Sequence, residues 1–125
     1  MKFKTLMIIK AVVCISLGFP ILLVPKFFYG IFGVTLGLAG MFAAREYGAS
    51  LIGNFLLTWI GRKAEESSAR RGIIWALCIY DAIGFVVTLI FALSGEPNLL
   101  IWLPVVLYLF LALAFGYFIL KPPKP

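Results

Sequence analysis

The sequence predicts an all-α fold: a four-transmembrane-helix bundle with an interfacial or re-entrant segment between helices 1 and 2, and both termini cytoplasmic. Three observations predict it. The 125 residues are 63% hydrophobic and 13% charged, with a mean hydropathy of +1.09, whereas a soluble domain carries about a quarter charged residues. The apolar residues come in long blocks, each close to the roughly 20 residues that cross a hydrocarbon core. The basic residues behind the net charge of +6 gather at the ends of those blocks, where they report topology and anionic lipid rather than nucleic acid.

The whole chain reads as one integral membrane domain. The first span is expected over 6–24 (LMIIKAVVCISLGFPILLV), closed by Pro25. Lys2 and Lys4 before an apolar run resemble a secretory signal, but no small-x-small cleavage site follows, so a retained helix is expected. Residues 26–40 are too short to cross twice and too apolar for an ordinary loop. Their Phe27, Phe28, Tyr29 and Phe32 suit an aromatic belt at the outer interface. The Gly33–Gly37 pair matches G-x-x-x-G, but in a chain with 12 glycines it reads more simply as loop flexibility. The second span is expected over 40–60, the third over 73–93 and the fourth over 99–120, with GRKAEESSARRG and SGEPN as connectors. GRKAEESSARRG reads as a solvated connector with helix ends, and its Arg62, Lys63, Arg70 and Arg71 are expected at anionic headgroups. The prolines of KPPKP stop the last helix.

Four spans put Lys2, Lys4, Arg62, Lys63, Arg70, Arg71, Lys121 and Lys124 on one side, and only Lys26 on the other. The positive-inside rule then places both termini in the cytoplasm. The chain has no histidine, which removes the usual zinc ligands, histidine-held haem and most imidazole acid–base chemistry. Cys14 and Cys78 lie in apolar runs and read as packing residues. No phosphate-binding glycine loop, nucleophile elbow or metal-ligand cluster is legible. No enzyme, cofactor or metal is expected.

Ionisable residues inside a span are costly and are functional candidates for that reason. Four qualify: Lys10, Arg45, Glu46 and Asp81. Arg45 lies roughly 8 Å from the outer end of its span, within reach of headgroups by snorkelling. Glu46 is one step deeper and too short to do so. Its helical offsets lead to Ser50, Gly53 and Asn54, a small polar stripe of the kind that packs between membrane helices. Arg45, Glu46, Ser50 and Asn54 are therefore the candidate intramembrane polar site, with Glu46 expected to point into protein. Asp81 lies around 13 Å deep from the cytoplasmic side, about 11 Å from the level of Arg45. Lys10, in the same half of the membrane, is the better partner, and a structural Lys10–Asp81 ion pair is expected.

The stretch YGIFGVTLGLAGMFAAREYGASLIGNFLLTWIGRKAEESSARRG, with the closing LPVVLYLFLALAFGYFIL, resembles a family of small bacterial four-span membrane proteins with no assigned activity. Tyr29, Gly30, Arg45, Gly48, Ala49 and Trp59 carry the match. The layout is more distantly similar to the fungal ergosterol-biosynthesis scaffold protein. The likeness implies an uncharged residue after the arginine, where this chain has Glu46. It also implies a bacterial inner-membrane protein that positions other membrane proteins. A non-enzymatic accessory or scaffold role, with a membrane-protein partner or a homo-oligomer, is the leading expectation. The alternatives are a small oligomeric transporter using Glu46 and a lipid- or quinone-binding protein using Arg45.

Overall fold

The computed structural model describes residues 2–121; Met1 and residues 122–125, Lys124 among them, lie outside the described residues. Its elements run α1 (Phe3–Leu23), α2 (Pro25–Gly30), α3 (Leu38–Gly61), α4 (Ser68–Leu93), a 3-10 turn (Leu99–Ile101) and α5 (Trp102–Leu120). Every element among the described residues is helical. Three helical segments are long and apolar enough to cross a membrane: Phe3–Leu23, Ser68–Leu93 and Leu99–Leu120. They mark the chain as an integral membrane protein. The expected second span, α3, has the length at 24 residues, but Arg45, Glu46 and Asn54 dilute its apolar character and it is not one of the three.

The ends of the elements have local causes. Pro25 closes α1 and occupies the first turn of α2, where its missing N–H is not needed. Gly33 ends the turn after α2 at φ 77. Val34 N–H bonds back to the Tyr29 carbonyl and Gly33 N–H to the Gly30 carbonyl, each at 3.0 Å. This is a Schellman closure, which needs a left-handed residue and therefore glycine. The loop flexibility expected of Gly33 is thus a defined turn, and the segment expected to be interfacial or re-entrant is a short helix followed by a non-helical stretch. Helix α4, the expected third span, begins at Ser68, earlier than the expected 73, because the Ser67 hydroxyl accepts the Arg70 N–H at 3.2 Å and caps it. Asn98 caps the 3-10 turn in the same way, accepting from Leu100 N–H at 3.0 Å.

The chain divides into two compact units, Met1–Arg62 and Lys63–Pro125. In the first, α1 packs on α3. Gly18 stands against Gly48, so that a Cβ at Gly48 would lie 2.7 Å from the Leu22 amide nitrogen. Small residues let two backbones approach this closely and gain dispersion contact where no hydrophobic effect operates. Around the crossing, Cys14, Ile21, Ala44 and Leu51 form a buried cluster, with Phe28, Tyr29, Tyr47 and Phe55 against it. The order of these contacts makes the hairpin antiparallel. Buried Thr58 donates its hydroxyl to the Asn54 and Phe55 carbonyls at 2.8 and 3.1 Å, leaving no orphan polar group at that position.

In the second unit α4 packs antiparallel on α5. Ile74 and Leu77 of α4 and Val105, Leu111 and Phe115 of α5 are buried, and the Tyr108 ring lies over Gly84. At the open end of the hairpin, the Arg71 guanidinium donates to the Phe118 and Ile119 carbonyls at 2.8 and 3.0 Å. The last carbonyls of a helix have no partners within it, and a charged donor satisfies two of them here. An Arg71→Met variant keeps the apolar stem and loses both bonds. The expected cost is about 2 kcal/mol, read as a lower unfolding midpoint in detergent, and Arg71→Lys recovers only part of it because one ammonium lacks the planar fork.

Candidate functional site

The site reading depends on which face of α3 the hairpin covers. Ala44, Gly48, Leu51 and Thr58 are its buried residues. They share one side of the helix at offsets of four, seven and fourteen, and that side meets α1. Arg45, Glu46 and Ser50 are exposed, and Asn54 is half-buried. A Cβ at Gly53 would have nothing within 4 Å. Glu46 was expected to point into protein; within its hairpin, its stripe lies on the side of α3 turned away from α1. Both sides carry small residues, and Gly18 on α1 decides between them. Opposite Gly48 it permits backbone contact with Leu22, whereas burying Glu46 against apolar α1 would strand a carboxylate.

Arg45 and Glu46 make no ion pair with each other or with any other of the described residues. On adjacent positions their side chains leave the helix about 100° apart, so they do not meet. Arg45 also borders a shallow groove whose other walls are Leu38, Ala39, Met41 and Phe42. Lys10 and Asp81, the two charges expected to pair, are 2% and 0% exposed. Each is one of the buried residues of its own helix, Lys10 between Met7 and Cys14 on α1 and Asp81 beyond Leu77 on α4.

The four aromatic residues of the segment between α1 and α3 divide by face. Phe27 is exposed. Phe28 and Tyr29 turn onto the core of the first hairpin, and Phe28 meets Tyr29 edge-on at 5.4 Å and Phe32 at 5.5 Å. Two of the belt candidates thus also anchor α2. Of the connector's basic residues, Arg62 bonds the Trp59 carbonyl and stacks on the Trp59 ring at 3.9 Å. Arg70 lies 3.9 Å from Glu66. The role of Arg71 on α5 was not legible, since the two ends of that contact are 47 and 48 positions apart. One cue was present: the KPPKP tail leaves the end of α5 without continuing helix.

Fold and site define a class: an all-helical integral membrane protein of two helical hairpins, with two charged residues, Arg45 and Glu46, on the side of α3 that α1 leaves uncovered. No protein-family model, no curated protein and no solved structure matches the chain.

Proposed function

We propose that the protein is a non-enzymatic accessory or scaffold protein of the bacterial cytoplasmic membrane, docking other membrane chains through the outward face of α3. On this reading α3 is a fourth span, both termini are cytoplasmic, and the four long helices form one bundle. The observation that carries it is the exposure of Arg45 and Glu46 on a helix whose other side is fully engaged. A carboxylate held in lipid is costly and too short to reach water, so a face that carries one is suited to a protein partner. A photo-crosslinking residue at Ser50 tests this in intact cells. Discrete adducts with membrane chains are expected; recovery of uncrosslinked protein alone overturns it.

The groove of Leu38, Ala39, Met41, Phe42 and Arg45 favours a second reading, a lipid or quinone held by its acyl part with Arg45 on its polar end. Native mass spectrometry of protein extracted in mild detergent distinguishes it. A retained lipid that disappears in Arg45→Gln supports this reading, and bare protein excludes it.

The Lys10–Asp81 ion pair is proposed on the depth of the two residues in the sequence. Breaking a buried pair strands a charge, whereas exchanging its members does not. Lys10→Asp and Asp81→Lys are each expected to abolish stable accumulation, and the double variant to recover it. Equal loss in all three variants is the outcome that removes the pair.

A further inference from the structure

We infer that the uncovered face of α3 is the seam of a parallel homodimer, held by two reciprocal ion pairs between Arg45 of one copy and Glu46 of the other. The inference rests on the docking role proposed above and names its occupant. At about 100° per residue, Phe42, Ala49, Gly53 and Ile60 fall within roughly 40° of one another around α3. All four are exposed, and they lie opposite the stripe of Ala44, Gly48 and Leu51 that meets α1. Arg45 and Glu46 flank this line, one on each side.

That placement makes the face complementary to itself. When two parallel helices pack about a two-fold axis, the right flank of each seam faces the left flank of the other, as e and g positions do in a coiled coil. The two charges differ in height by only about 1.5 Å, so each cation comes level with the other copy's anion. Neither residue has a partner among the described residues of its own chain, so both are available for this. Just below the charges, Ala49 and the open position at Gly53 remove the bulk that would hold two backbones apart. An antiparallel pair fails, because it brings these charges to opposite ends of the contact. An anionic headgroup satisfies Arg45 alone and repels Glu46, whereas a second copy satisfies both.

The test uses the full chain in its own membrane, with Cys14→Ala and Cys78→Ala as the background. Ala49→Cys places a thiol on the seam, and Ala43→Cys, exposed but about 100° from it, is the control. Oxidation is expected to give a disulfide-linked dimer at Ala49→Cys and little at Ala43→Cys. Added to Ala49→Cys, Glu46→Arg brings four cations together and should cut dimer yield by about tenfold. Adding Arg45→Glu to that variant re-forms both pairs with reversed polarity and should restore the yield, which a merely structural role would not do. Failure of the double reversal to exceed the single one overturns the inference, as does equal crosslinking at both cysteine positions. Adducts only with a different chain overturn it too while leaving the docking role standing, and no adduct of any kind removes both.

Discussion

Gly48→Val is expected to abolish the α1–α3 hairpin. A Cβ at this position would lie 2.7 Å from the Leu22 amide nitrogen, 3.0 Å from the Gly18 carbonyl oxygen and 3.0 Å from Leu22 Cα. Every one of those atoms is backbone, so no side-chain rotation relieves the overlap, and α1 must retreat as a body. Retreat loosens the cluster of Cys14, Ile21, Ala44 and Leu51 that surrounds the crossing. The cost is about 3 kcal/mol or more, at the upper end of overpacking, in a membrane interface that depends on close packing. Gly48→Ala isolates the steric part. Alanine gains about 1 kcal/mol of helix propensity over glycine, and the clash should still outweigh it. Gly18→Ala meets its nearest atoms at 3.2 to 3.3 Å and should cost less. Gly53→Ala has nothing within 4 Å and should be neutral or stabilising within a single chain. Unfolding in mixed micelles, followed by the near-ultraviolet signal of the tyrosines, ranks the four. A Gly48→Val variant as stable as wild type would show that the two helices are not in backbone contact.

The same crossing explains how far the sequence could be read. The long helices were legible, because runs of about 20 apolar residues have few other solutions. The polarity of α3 was not. Spacing tells which residues share a face: Ala44, Gly48 and Leu51 form one set, and Glu46, Ser50 and Gly53 another. It does not tell which set a neighbouring helix will cover, since small residues suit either to packing. The deciding residue, Gly18, is 30 positions from Gly48, and its meaning appears only once the hairpin register is known. The Schellman turn at Gly33 and the Arg71 contacts on α5 were hidden for related reasons. A positive φ and a contact spanning 47 residues are properties of the folded chain. What composition did show was the presence of Arg45 and Glu46 where lipid is expected; the hairpin register puts both on the side of α3 away from α1.

The second large effect is expected at Gly84 and is best read as a pair with Tyr108. A Cβ at Gly84 would stand 2.4 Å from Tyr108 Cε1 and 2.6 Å from Cδ1, inside the volume of the ring. Unlike the Leu22 backbone, a ring can in principle turn away. Here α5 is packed on α4, with the Cys78 thiol on the Ala112 carbonyl at 3.5 Å one turn away, and the Tyr80 ring lies 6.5 Å off. Gly84→Ala should therefore cost about 2 to 3 kcal/mol. Tyr108→Leu alone leaves a void over Gly84 and should cost a comparable amount, as ring loss does in a packed interior. The two defects are opposite in sign, one too much volume and one too little. The double variant should recover a substantial part of the loss, giving a coupling of about 1 kcal/mol or more in a double-mutant cycle. Thr88 sharpens the interpretation, because its hydroxyl donates to the Gly84 carbonyl at 2.8 Å and holds the local helix geometry fixed. With the backbone held there, strict additivity of the two substitutions would mean that the ring and the glycine do not touch. The expected compensation would make their contact the point at which α4 and α5 are keyed together.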